Sequence, residues 1–175
     1  MNYCAFLRGV NVKGTSMKMA DVCAVFEKLG MEKVSSVLAS GNILFQSDKP
    51  AEELKKMLES AMSERFGYEA YLFIRNEEEI RNMLEKSPFE KKENFHLYVF
   101  VANPETENIL REEFEKVSKQ EGEKAEISGG IFYWQVQKGN TLDSEFGKIL
   151  GRKSLKAHFT SRNINTFEKI INKLK

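Results

Sequence analysis

A chain of 175 residues with 41% apolar and 30% charged residues has an ordinary globular balance and buries roughly 70% of the surface its unfolded form exposes. It has no run of about 18 apolar residues to span a bilayer, and its start, Met1 to Phe6, lacks the basic region and long apolar core of a secretion signal, so a cytoplasmic location without membrane contact is expected. The net charge of +1 hides a split: residues 1–47 carry 5 Lys/Arg and 3 Asp/Glu, residues 48–147 carry 14 and 22, and residues 148–175 carry 8 and 1, which disfavours a uniform nucleic-acid coat and leaves one basic segment at the end.

Residues 2–8 read as a buried strand, after which Met19, Val22, Cys23, Phe26 and Leu29 recur at helical spacing until Gly30 supplies a stop. Residues 34–39 and 43–46 are short strands around the turn formers Ser40-Gly41-Asn42. After Asp48-Lys49-Pro50, the stripe Leu54, Met57, Leu58, Ala61 and Met62 predicts a helix ending near Phe66-Gly67, and residues 70–75 alternate as a strand. Ile80, Met83 and Leu84 mark a connecting helix, stopped before Ser87-Pro88 because proline disfavours helical geometry in the residue ahead of it.

The pattern then restarts. Residues 95–101 are a strand, Ile109, Leu110, Phe114 and Val117 stripe a helix, and residues 125–128 and 131–137 bracket Gly129-Gly130 as a hairpin. Leu142, Phe146, Ile149 and Leu150 predict the next helix, and Ile164, Phe167, Ile170, Ile171 and Leu174 the last; no closing strand is evident. The fold expected is α+β, two tandem ferredoxin-like subdomains: a complete β-α-β-β-α-β copy over 1–76, a helical connector over 77–94, and an incomplete copy ending in helices over 95–175. The repeat lies in the order of elements, with no residue-level identity visible between the halves.

In such a unit the first two strands run parallel and the third lies antiparallel between them, so three loops share one end of the sheet. These are the loop after the first strand, the turn Ser40-Gly41-Asn42, and the connection Phe66-Gly67-Tyr68. The first runs Leu7-Arg8-Gly9-Val10-Asn11-Val12-Lys13-Gly14. Gly9 and Gly14 let backbone N–H groups approach a ligand, Arg8 offers a planar fork for an anion, and Asn11, Ser40, Gly41 and Asn42 complete a polar rim. The spacing is neither a Walker loop nor a dinucleotide fingerprint. The ligand expected is a small anion: phosphate, nucleotide or carboxylate.

A second cluster, Thr160-Ser161-Arg162-Asn163-Ile164-Asn165-Thr166, precedes the last helix. Asn165 and Glu168 have capping-box spacing, which leaves Arg162 and Asn163 either to complete an anion pocket or, for Arg162, to tie the last helix to the first subdomain. Cys4 and Cys23 read as buried thiols and, with His96 and His158, lack metal-ligand spacing, so neither a metal site nor a cofactor is expected.

The blocks Leu7-Arg8-Gly9-Val10-Asn11-Val12 with Gly14 and Met19, Leu29-Gly30, Ser40-Gly41-Asn42-Ile43-Leu44-Phe45 and Arg162-Asn163-Ile164-Asn165-Thr166 resemble a bacterial family of uncharacterised proteins, domain of unknown function family number 1697. The resemblance implies tandem α+β units and no established activity. It draws attention to Arg8, Asn11, Ser40, Asn42, Arg162 and Asn163. The chain departs from the family's more usual Gly-Gly-Lys at Lys13-Gly14-Thr15, from an aromatic and Gln ahead of Ser-Gly-Asn at Val37-Leu38-Ala39, and from Trp at Ile164.

No paired carboxylates or Ser/His/Asp set supplies a general base, so enzyme and binder both stay open. The alternatives to an anion binder are a nucleic-acid module using strand aromatics such as Phe132 and Trp134, though core packing explains most of these, and a protein-interaction domain or homodimer formed through exposed strand edges.

Overall fold

The computed structural model describes residues 1–10 and 17–175. The chain divides into two compact units, Met1–Arg81 with Glu168–Lys175, and Asn82–Phe167.

The first unit runs β1 (Asn2–Arg8), α1 (Met19–Lys28), β2 (Glu32–Ser36), β3 (Asn42–Gln46), α2 (Ala51–Phe66), β4 (Tyr71–Asn76) and the start of α3 (Glu77–Glu85). Its sheet has the order β2-β3-β1-β4 with every neighbour antiparallel, so β1 and β2 run the same way with β3 between them. Alternation sends Tyr3, Ala5 and Leu7 to the face covered by Val22, Phe26, Leu54, Leu58 and Met62, while Cys4 and Phe6 on the opposite face are also buried. Helix α2 stops where expected: Gly67 takes a left-handed φ of 66° and donates its N–H to Ser63 O at 3.0 Å.

Strand β2 begins and ends earlier than the 34–39 run predicts. A register irregularity between Glu32 and Ser35 puts Lys33 at φ 48°, and Leu38 at φ 61° belongs to the turn. The Asn42 amide, donating to Val37 O at 2.9 Å, closes that turn and ends the strand.

The second unit runs β5 (Phe95–Ala102), α4 (Thr106–Lys116), β6 (Lys124–Ser128), β7 (Ile131–Gln137), α5 (Glu145–Leu150), a 3-10 turn over Lys153–Leu155, β8 (Phe159–Asn163) and the start of α6 (Ile164–Leu174). Its sheet order, β6-β7-β5-β8, repeats that of the first, again antiparallel throughout. The hairpin turn holds Gly129 and Gly130 at φ 58° and 77°, the paired positive angles a two-residue connection needs.

Two expectations need correction here. The second copy is closed by a strand: β8 pairs with β5 from Tyr98↔Asn163 to Ala102↔Phe159. Its sequence, Phe-Thr-Ser-Arg-Asn, opens on two strand formers and then turns wholly polar, and it is pairing with β5 that makes all of it a strand. Helix α5 is also shorter than the stripe from Leu142 implies, for Ser144 Oγ caps it by accepting from Gly147 N at 3.0 Å, and Leu142 stands 81% exposed outside it.

Register alignment uncovers residue-level repetition that linear comparison misses. Tyr3 pairs with Phe45 and Asn76, as Tyr98 pairs with Trp134 and Asn163. Both tyrosines stack on their β3 or β7 partner, at 5.6 Å and 24° in one unit and 5.5 Å and 28° in the other. Both fourth strands end in Arg-Asn, and each arginine donates to the carbonyl of the preceding residue at 2.9 Å, Arg75 to Ile74 and Arg162 to Ser161. Each asparagine caps the helix that follows. Asn76 and Glu79 form a reciprocal capping box at 2.9 and 2.7 Å, and Asn163 Oδ1 accepts from Asn165 N at 3.0 Å. The cap of α6 is therefore Asn163, with Asn165 inside the first turn.

The core of the second unit gathers Phe100, Phe132, Trp134, Val136 and Phe159 against Leu110, Phe114, Phe146 and Ile149. Among the described residues, no helix is long and apolar enough to cross a membrane.

Two substitutions test this account. Asn76→Ala is expected to cost about 1 kcal/mol and to lower Tm by roughly 2–4 °C, whereas Asn76→Asp, which keeps the capping oxygen, stays near wild type. Tyr133→Phe orphans the Met83 carbonyl that the buried phenol reaches at 2.7 Å, and a loss of about 1–3 kcal/mol is expected in urea unfolding.

Candidate functional site

At one end of the first sheet, register sets Phe6 opposite Asn42 and Arg8 opposite Tyr71, and Leu7 N–H donates to Gly41 O at 2.8 Å. Arg8 and Gly9 thus meet Ser40, Gly41 and Asn42, more than 30 residues along the chain, while the Gly67-Tyr68 connection enters β4 at the same end. Gly41 is demanded twice over. Its φ is 84°, and a Cβ there would stand 2.7 Å from Val10 Cγ2 and 3.0 Å from Leu7 Cβ. Gly9 also takes a positive φ, 80°. Asn11 and Gly14 lie outside the described residues.

The side chains at this end differ in what they offer. Asn42 is fully buried, and its amide donates to Val37 O at 2.9 Å and to Ser40 Oγ at 3.0 Å, so it braces the turn. Arg8 is half-buried, and burial pulls the pKa of its guanidinium below the usual arginine value. Tyr68 is the residue that sequence reasoning passes over. Its hydroxyl is buried with no hydrogen-bond partner among the described residues, and burial pushes its pKa up to about 12, which keeps it a neutral O–H donor. Its only sequence signal is its place beside Gly67, on one of the three connections expected at this end.

Arg162 and Asn163 belong to the second unit. Arg162 is buried, and its guanidinium donates to Thr160 Oγ1 at 2.7 Å and Ser161 O at 2.9 Å, both within its own strand. Asn163, besides capping α6, brings Nδ2 to 3.0 Å from His96 Nδ1; with the amide as donor, the ring carries its proton on Nε2. Burial and the Lys138 charge hold the His96 pKa below the usual imidazole value, so the ring is neutral near pH 7.

Other candidates are spent on packing or chemically quiet. Phe132, Tyr133 and Trp134 are all buried, so none presents a face for base stacking. Cys4 and Cys23 are free thiols, and burial, then Glu27, pushes Cys23 above its ordinary pKa, away from a reactive thiolate. Among the described residues, no group of three His, Cys, Asp or Glu side chains is placed to hold a metal ion.

The profile of the family described as "Protein of unknown function (DUF1697)" matches residues 1–133. Among solved structures, the conserved bacterial protein SP0830 from Streptococcus pneumoniae is similar in fold, with a TM-score of 0.77, 24% identity, and coverage of 99% of this chain and 98% of that one. No curated protein matches the chain. A profile spanning about three quarters of the sequence settles kinship at the level of family: this chain belongs to the DUF1697 family of proteins of unknown function.

Proposed function

We propose that this protein binds a small anionic ligand, a phosphate, nucleotide or carboxylate, at the Arg8 end of the first sheet. The observation that carries the reading is a half-buried guanidinium on a sheet end whose adjoining connection holds a buried phenol O–H with no acceptor among the described residues. A buried donor left unpaired costs about 1–3 kcal/mol, and an oxyanion accepting from Tyr68 recovers that cost. Arg8 supplies the charge and the fork, and Gly9 and Gly41, at φ 80° and 84°, hold the backbone turns of the two segments that meet there. Ser40 adds a hydroxyl on the rim, and Asn42 holds the turn that carries it.

Thermal shift with inorganic phosphate, nucleotides and carboxylates, each at low and high salt, tests the reading, because a ligand that binds only the native state raises Tm. Arg8→Ala is expected to cut the phosphate-induced shift to less than half in a protein that stays folded. An unchanged shift overturns the assignment. Tyr68→Phe separates ligand contact from packing: it should leave ligand-free stability equal or higher, since it deletes an unpartnered buried hydroxyl, while weakening the ligand-induced shift.

A further inference from the structure

In the second unit a cleft of about 330 Å3 opens beside the start of β5 and the end of β8, at the small end of the ~300–1,000 Å3 range of ligand cavities. Lys91, Lys92, His96, Lys138, Asn163 and Asn165 contribute to its lining, and Glu93 is the one carboxylate among the lining residues. Lys91 is engaged with Asn165 Oδ1 at 2.9 Å. Lys92 and Lys138 make no ion pair among the described residues; the Lys92 ammonium lies 5.7 Å from the centre of the Phe95 ring.

The internal repeat provides a reference for this cleft. The first unit has a cleft at the equivalent place, lined among others by Met1, Asp48, Lys49, Asn76 and Glu79. There the charge is balanced: Lys49 is ion-paired with Glu53, and Glu79 completes the capping box of Asn76. Carrying the strand registers across, Lys138 stands where Lys49 does and Asn163 where Asn76 does. Asp48 and Glu79, however, are replaced by the neutral Gln137 and Thr166, and His96 takes the position of Met1. One copy has kept the lysine and lost the carboxylates, which leaves a concave, net cationic surface with a titratable ring in it.

We propose that this second cleft is a binding site for a compact tetrahedral dianion of the phosphate class. Its cations come from separate segments, the loop ahead of β5 and the residue after β7, and the Asn163 amide and the His96 ring share the lining. Ammonium groups are point charges that suit a multi-acceptor oxyanion approached from several sides, whereas a planar carboxylate is matched best by a guanidinium fork. Because Asn163 already caps the N–H of Asn165, recognition rests on side chains rather than on the start of α6. The site is independent of Arg8, and different variants report on the two.

The chain has only two histidines, and His158 is exposed and absent from the cleft lining, so imidazole NMR of the full chain reads the site directly. Inorganic phosphate and sulfate, titrated at constant ionic strength, are expected to shift the His96 resonances saturably and leave those of His158 in place. Sulfate, which keeps its double charge through the imidazole range, should raise the His96 pKa by about half a unit or more, since a nearby anion favours the imidazolium. The Lys92→Gln, Lys138→Gln double variant should lose about tenfold in affinity. Its ligand-free His96 pKa should move up as the Lys138 charge disappears, a response that requires the native cleft. In Arg8→Ala the His96 resonances should still move with sulfate as they do in wild type, since Arg8 is absent from the lining of this cleft. An equal response of both histidines, no saturation, an equal effect of acetate, or wild-type affinity in the double variant overturns the proposal.

Discussion

Each sheet hangs on the register of its central strand. β1 is paired on both sides, with β3 and with β4, so the position of Tyr3 opposite Phe45 and Asn76 fixes the other pairs that β1 makes with these two strands. A slip of one residue would turn Tyr3, Ala5 and Leu7 away from the helices and expose them to the opposite environment. The Tyr3–Phe45 stack opposes such a slip by locking one cross-strand pair, and the Tyr98–Trp134 stack does the same for β5 and β7. From that register follow the place of Arg8 beside Tyr71, the contact of Leu7 with Gly41, and the entry of Asn76 and Asn163 into helix caps.

Repetition of the architecture is accompanied by divergence of its surface. The residues held in common lie where backbone geometry is set: the stacked tyrosine, the aromatic on the third strand, and the Arg-Asn that turns a fourth strand into a helix. Residues at the clefts beside those caps are freer to change, since they sit outside the packed core, and they have done so in charge. The first copy keeps Asp48 and Glu79 and the second carries Gln137 and Thr166, while a lysine stays in both. In a partly buried cleft, the loss of two counter-charges alters local potential far more than the same change on an open surface.

Much of the first unit was legible before folding, because its signals are local. The stripe Leu54, Leu58 and Met62, the stop at Gly67 and the glycines of the hairpin turns each act within a few residues. The convergence of Arg8 with Ser40-Gly41-Asn42 was legible too, since it depends only on strand order. Strand β8 was hidden, as its polar alternation becomes a strand only through β5. Tyr68 was hidden because an unpaired hydroxyl is a property of surroundings, and a lone tyrosine beside a glycine carries no sign of it.

The sequence by itself determined the element types other than β8, the two-copy α+β order, the family, and the segments that share an end of the first sheet, since periodicity, turn chemistry and chain order are encoded within short windows. Tertiary structure alone decided which polar groups are already used: that Asn42 braces a turn, that Arg162 bonds within its own strand, that Asn163 rather than Asn165 caps α6, and that Lys92 and Lys138 border a cleft without an ion pair among the described residues. The reason is physical. A hydrogen bond or an ion pair depends on ångström-scale distances between residues far apart in the chain, and those distances are set only when the strands pair and the core closes.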